Sequence, residues 1–365
     1  MESLSWYWHR VQKRLFPLLE ESLGPLTEDE REVSAVLELV RIEESVEERW
    51  SGIGRPPADR AALARCFVAK MVLNARTTRE LISRLLSSPR LRAICGWEWS
   101  FDVPSESSFS RSFAEFAASG LAERVHAALI SRHEGPRLVG HISRDSTDIA
   151  ARERPLVRVV GAVKPKRKRG RRKKGEAGSG PSPGEAASRL ERQRGQGLAE
   201  MLSELPRDCS WGGKRKESGV HYWKGYKLHT DWADGEIPVS CLLTSASVHD
   251  SQAAIPLMTL SMGRVVNLYD LMDAAYDAEA IWSHSRDLGH VPIIDRNPRR
   301  QRKEEMSPAA QRRYDERTTA ERGFSLLKDR FGGRSVRVRG AAKVMSHLMF
   351  GILALTAVRL LHLVM

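Results

Sequence analysis

Residues 138–148 read Leu-Val-Gly-His-Ile-Ser-Arg-Asp-Ser-Thr-Asp. The apolar start predicts a strand, and the strand runs into acidic residues, Asp145 first and Asp148 three positions on. An odd offset on a strand turns a side chain to the opposite face, so Asp148 points away from Asp145 if the strand continues. His141, four positions before Asp145, shares its face and reads as a packed histidine. From here the elements are short. Residues 225–229 predict a strand, Asp234-Gly235 a hairpin turn and residues 237–243 its partner strand. A helix over 251–262 follows. A largely apolar strand over 265–272 then runs into Asp273, with Asp270 as the local competitor. A helix over 278–288, a strand over 291–294 and a long helix over 314–331 complete the series. A hairpin followed by alternating helices and strands predicts an α/β layer with a mixed sheet.

Upstream the texture is helical. Residues 1–50 carry Leu15, Leu18, Leu19 and Leu23, then Val33, Val36, Leu37 and Val40, at helical spacing. Gly52, Gly54, Pro56 and Pro57 interrupt the chain. Residues 51–135 form a second helical block. Asp59 is an N-cap candidate, Thr77-Thr78-Arg79-Glu80 fits a capping box, and Pro104-Ser105 opens a helix carrying Phe109, Phe113 and Phe116. Arg79, Arg84, Arg90, Arg92 and Arg111 lie among these helices. They suit either a small helical DNA-binding domain or a bundle with a solvated basic face.

The α/β part is interrupted. Residues 136–163, with a further short strand over 157–160, and residues 218–342 form its two pieces. Residues 164–217 between them read as a basic, largely disordered insertion with a helical patch near 190–205. The insertion opens with Lys164, Lys166, Arg167, Lys168, Arg169, Arg171, Arg172, Lys173 and Lys174, nine basic residues in eleven, followed by Gly, Ser and Pro. Such a block cannot pack a core. Trp211, Trp223 and Trp232 flank it; core packing is favoured over base stacking for them.

The chain has 365 residues, 59 Lys and Arg against 46 Asp and Glu, a net charge of +13 and a sequence pI near 9.8. That excess points to nucleic acid first and an anionic membrane second. Without the nine charges of the basic run the chain carries only +4. The 41% hydrophobic content excludes a wholly disordered chain. Cys66, Cys95, Cys209 and Cys241 form no C-x-x-C pair, which argues against a disulfide scaffold and a Cys-based zinc site. Arg10, Lys13 and Arg14 interrupt any signal-peptide core. Residues 343–365 are apolar, but the uncharged stretch 348–358 is too short for a bilayer, so a buried C-terminal helix and a soluble, cytoplasmic protein without membrane contact are expected.

In the last predicted helix, Tyr314, Arg317, Glu321 and Lys328 fall at i, i+3, i+7 and i+14. At about 100° per residue they lie within roughly 60° of arc. Phe324, Leu327 and Phe331 form the adjacent apolar stripe. On helical geometry alone, a solvated face with an Arg317–Glu321 pair accounts for the pattern equally well. The Tyr-x2-Arg-x3-Glu-x6-Lys spacing resembles the YREK signature of bacterial insertion-sequence transposases with a DDE triad, of the insertion-sequence-four and insertion-sequence-five type. Asp145-Ser146-Thr147 resembles the family's segment around its first acid. Asp273-Ala274-Ala275-Tyr276-Asp277 resembles that around the second, with Ala275 where Gly is usual. Residues 245–250, Ser-Ala-Ser-Val-His-Asp, resemble the turn after the third strand, and the block around residues 55–116 the family's N-terminal domain.

The resemblance implies a ribonuclease-H-like catalytic domain behind an all-helical N-terminal domain. It implies that Asp145, Asp273 and Glu321 bind two Mg²⁺ ions, with Mn²⁺ able to substitute, and catalyse cleavage and transfer of DNA strands. Tyr314, Arg317 and Lys328 would contact phosphates, and the run from Lys164 to Lys174 would grip the backbone without sequence preference. Double-stranded DNA, as transposon ends and target, is the implied partner, bound by a homodimer. Only 48 residues separate Asp273 from Glu321, too few for the β insertion domain of some relatives. His249-Asp250 is read either as a helper in DNA or metal binding or as turn and cap. A ribonuclease-H-like nuclease without strand transfer and a non-catalytic, domesticated DNA-binding relative are the rival readings.

Overall fold

The computed structural model describes residues 3–47, 56–155, 188–216, 219–298 and 305–364. Gly52, Gly54, the strand expected over 157–160 and the basic run from Lys164 to Lys174 lie outside them.

Helices α1 (Leu4–Arg10), α2 (Phe16–Leu23), α3 (Glu28–Val40), α4 (Arg60–Val72), α5 (Thr78–Ser87), α6 (Pro89–Cys95), α7 (Glu106–Ser119) and α8 (Leu121–His133) come first. Their starts are chemically marked. Thr27 and Glu30 form a reciprocal capping box on α3, and the Asp59 carboxylate accepts the Ala61 and Ala62 N–H groups of α4. At α5 the expected box is only half made. Thr77 accepts the Glu80 N–H, but the Glu80 carboxylate turns to the Arg76 N–H.

The sheet contains β1 (Leu138–Ala150), β2 (Ser210–Lys216), β3 (Gly219–Ala233), β4 (Ile237–Ser245), β5 (Val266–Met272) and β6 (Val291–Ile294). β3 lies between β4 and β1, antiparallel to both, and β5 and then β6 extend the sheet parallel to β1. β2 pairs with the first half of β3. A three-stranded antiparallel meander continued by two parallel strands is the ribonuclease-H-like order, as the sequence predicts. The β3–β4 turn uses Gly235 at φ 84° and Glu236 at φ 56°.

Two expectations change. Within the stretch 164–217, the helical patch expected near 190–205 is present as α9 (Arg189–Gln193) and α10 (Leu198–Glu204), and strand β2 adds order that the sequence pattern does not predict. Met201 and Leu205 bury in small apolar clusters with α11 (Ser251–Met262), which gives these short helices a reason to fold. The long helix over 314–331 is broken. Helix α13 follows α12 (Glu279–Asp287) and spans Pro308–Tyr314; a tighter 3₁₀ turn takes Asp315–Arg317, and α14 runs Thr318–Arg330. The tighter winding keeps Tyr314 beside Arg317, three residues on.

The last helix, α15 (Ala341–His362), packs against α3, α4, α7, α8 and β4. It has the length and apolarity of a membrane span, but 89% of its most apolar window is buried inside this fold. Phe350 meets Phe67 and Phe113 with ring centroids 5.5 and 6.1 Å apart. A single apolar cluster runs from the helical layer through α15 to the sheet. Phe350→Ala is therefore expected to cost about 3–5 kcal/mol. In chemical denaturation the helical and sheet signals should shift together, in one transition.

Candidate active site

The β1–β5 pairing ends at Arg144 opposite Met272. The next residues on the two strands are Asp145 and Asp273. Asp145 does not end its strand, as β1 continues to Ala150 along β3; what ends there is its parallel neighbour. Each carboxylate is held by one backbone donor, Ser146 N–H to Asp145 Oδ1 at 2.7 Å and Ala275 N–H to Asp273 Oδ1 at 2.9 Å. Burial pushes the Asp145 carboxyl up to about 6, and the neighbouring Asp273 charge adds to this. The Ser146 N–H, Lys214 and Arg317 act the other way.

Glu321 is elsewhere. It sits on the first turn of α14 with its side chain 59% exposed. Arg317 stands between the acids, with Nη2 donating to Glu321 Oε1 at 3.0 Å and Nη1 3.7 Å from Asp145 Oδ2. Tyr314 lies under the same guanidinium, 5.6 Å from ring centroid to Cζ, and burial raises its phenol. Lys328 reaches Asp148, Nζ to Oδ1 at 3.1 Å. Helix α14 is seated by Phe324, edge-on to Trp232 at 5.2 Å, and by Gly323, where a Cβ would come within 2.4 Å of the Trp232 ring. Any larger residue at 323 would push Glu321 and Arg317 off the sheet.

Asp270 belongs to the support beneath. With Asp231 it flanks the buried Arg144, whose Nη2 is 2.6 Å from Asp231 and 3.8 Å from Asp270. Ser285 and His290 complete Asp270. Burial alone would raise Asp270, but these donors and Arg144 bring it below the usual carboxylate range. His141 is a packed residue, paired with Asp234 at 3.1 Å and stacked on Tyr269. Trp223 and Trp232 are buried, whereas Trp211 is 61% exposed.

Other contributors are less legible in the sequence. Asp250 precedes α11 but makes no side-chain cap bond. Lys227 Nζ donates to it at 2.9 Å, and Ser146 lies within hydrogen-bonding reach. The Tyr276 hydroxyl is buried without a partner and feels the charges of Asp250, Asp145 and Asp273 together. The alternation of β3 could have pointed to Lys227. Tyr276 falls in the segment around the second acid, but it lies in a 3₁₀ turn, and no spacing there shows that its hydroxyl turns inward.

Among the described residues no group of three His, Cys, Asp or Glu side chains is close enough to hold a metal ion. The Asp145–Asp273 pair nevertheless fits a hard divalent cation. Two carboxylates stand side by side, each with one oxygen on a backbone N–H, beside an orphaned buried hydroxyl. Glu321 can join them only if the Arg317–Glu321 pair opens.

A ribonuclease-H-like sheet with paired acids where two parallel strands part is the ground plan of a transposase catalytic domain. The chain belongs to that family, whose description, Transposase DDE domain, matches residues 141–357. A second, Transposase domain (DUF772), matches residues 20–115, and the combination is typical of transposases of the insertion-sequence-four and insertion-sequence-five type. No curated protein and no solved structure matches the chain.

The raised Asp145 carboxyl has a measurable cost. Its folded value lies above the unfolded one, so its contribution is intact below pH about 4 and is lost as pH rises through 6. Asp145→Asn is expected to stabilise the metal-free protein by about 1–3 kcal/mol at pH 7.5. The increment should vanish at pH 4 when denaturation midpoints are compared across pH.

Proposed function

We propose that this transposase cleaves DNA at the ends of an insertion sequence and joins those ends to target DNA. The observation that carries the reading is the position of Asp145 beside Asp273 where the parallel β1–β5 pairing ends, in the middle of a ribonuclease-H-like sheet in a chain of the DDE family. Asp145 and Asp273 would hold Mg²⁺, with Mn²⁺ as a substitute, and Glu321 would complete the set from α14. Bound there, two such ions neutralise charge at the reacting phosphodiester and make the attacking hydroxyl more acidic.

The protein's own residues do the positioning. The β1–β5 register fixes the two aspartates on rigid backbone, and the Ser146 and Ala275 N–H groups orient them. Arg317 neutralises Asp145 and Glu321 until an incoming phosphate offers its guanidinium a bidentate partner. Letting go of Glu321 then frees that carboxylate to swing toward the pair. Tyr314 and Lys328, on the same side of the sheet, would hold neighbouring phosphates, Lys328 exchanging Asp148 for DNA. Catalysis at phosphorus needs little more than this alignment and charge compensation. The run from Lys164 to Lys174 would add sequence-independent grip on double-stranded DNA. A homodimer acting on paired ends in the bacterial cytoplasm is the assembly that the family suggests.

Asp145→Asn, Asp273→Asn and Glu321→Gln are each expected to reduce Mg²⁺-dependent cleavage of a duplex carrying the element's ends by at least about a thousandfold, with DNA affinity retained. Pre-cleaved ends should be joined to a target plasmid by the wild-type protein. Cutting by all three variants would overturn the assignment, and cutting without joining would favour a nuclease.

Deleting residues 164–174 is expected to weaken DNA affinity and to flatten the logarithmic salt dependence by up to about 0.9 for each phosphate that is no longer neutralised, while cleavage survives. A salt titration of binding to a random duplex reads this directly.

A further inference from the structure

We propose that the cavity between helices α4, α5 and α7 and the chain leaving β1 and α14 is a second phosphate site, which takes a phosphodiester of DNA away from the reacting bond. It rests on the reading of the chain as a DNA transposase and adds to it a binding site in the helical layer. The cavity has a volume of about 450 Å³. Its floor is Lys70 of α4, 6% exposed, with no hydrogen bond or ion pair among the described residues. Its rim holds Arg76, Arg152 and Arg337, from three separate segments, and none is paired with a carboxylate among those residues. The one acid in the lining, Glu106, is taken by Arg79 at 3.1 Å. Glu80, just outside, is shared between the Arg76 N–H and the Arg84 guanidinium.

The N-terminus of α5 opens on the same cavity through Thr77 and Thr78. Thr77 serves the Glu80 N–H, which leaves the earlier N–H groups of the first turn directed outward. His347 adds no charge. It is held neutral by burial, down to about 4, and bonds the Gly332 carbonyl at 3.1 Å.

A buried ammonium that feels the Arg337 guanidinium, beneath a rim of further arginines, is unfavourable without an anion. Burial and Arg337 accordingly bring the Lys70 amine down to about 8, against a partial pull from Glu80. Planar guanidiniums, a point-charge lysine and helix N–H donors together match a tetrahedral, multiply accepting oxyanion better than a single carboxylate. The exposed arginines at the rim suit a ligand that continues past the cavity, as a DNA backbone does and inorganic phosphate does not.

The test uses the full chain. Lys70, with its depressed amine, is acylated with acetic anhydride at pH 8, alone, with a random 30-base-pair duplex, or with pyrophosphate, and quantified by peptide mass spectrometry. In parallel the salt dependence of duplex affinity is measured for the wild type and for Arg152→Ala combined with Arg337→Ala, two exposed positions whose truncation leaves the core intact. The duplex is expected to protect Lys70 at least about fivefold, and the double variant to have a salt slope shallower by about two. Asp273→Asn should protect Lys70 as the wild type does. Equal acylation with and without either probe would overturn the site. Protection by pyrophosphate with an unchanged slope would overturn DNA as its ligand. A wild-type chain that binds no duplex would overturn the transposase reading instead, and the pyrophosphate arm would still decide the cavity.

Discussion

Two carboxylates at neighbouring positions on adjacent parallel strands repel, and the rest of the sheet is arranged around that repulsion. Burial raises the Asp145 carboxyl first, and the Asp273 charge beside it adds to that cost. The backbone has little freedom to relieve it, because β1 is paired with β5 over residues 138–144 and with β3 over residues 142–150. Relief comes from outside the sheet. Arg317 lies 3.7 Å from Asp145, and Lys214 adds its field. Beneath, Arg144 between Asp231 and Asp270 settles the same strands with an ion cluster that water does not reach. Removing Arg144 would leave buried carboxylates uncompensated, which costs more than the ion pair contributes when intact. The molecule thus keeps one set of acids satisfied and immobile and holds another set incompletely satisfied directly above it.

Much of this was readable because each acid ends or interrupts an apolar run. Val139 and Ile142 before Asp145, and Leu271 and Met272 before Asp273, mark buried strand positions, and a carboxylate next to them has few bland explanations. Position also separates Asp270 from Asp273: Asp270 lies inside β5 among Ser285, His290 and Arg144, whereas Asp273 lies just past the end of β5 and caps the next turn. Local chemistry misled where tertiary partners decide. Ser-Trp-Gly-Gly-Lys-Arg-Lys has no strand pattern, yet residues 210–216 pair with the first half of β3, whose backbone groups need a neighbour. The short helices from Ser188 onward look like part of the basic insertion until Met201 and Leu205 find apolar pockets against α11. The break at residues 315–317 is equally invisible to a 100° wheel, because three residues wound more tightly change no residue type.

The helical layer is not a separate attachment. Helix α15 follows the catalytic elements in sequence but sits among α3, α4, α7 and α8. The aromatic contacts of Phe350 with Phe67 and Phe113 make chain-distant segments one body. The change of texture near residue 136 marks where element type changes, not where packing stops. A ligand held by the helices is consequently held in a fixed relation to the strand ends beside Asp145 and Asp273.

Arg317 is where these constraints meet. A guanidinium that contacts Asp145 and Glu321 at once offsets the charge of both, and by the same contacts it holds Glu321 on the outer face of α14. Its position is set by the 3₁₀ turn that ends with it and by Tyr314 stacked beneath. A lysine there would supply the charge but not two directed contacts from one planar group. One cation thus reaches two acids on different elements, Glu321 four residues on in α14 and Asp145 on β1. That arrangement couples the position of Glu321 to whatever draws Arg317 away.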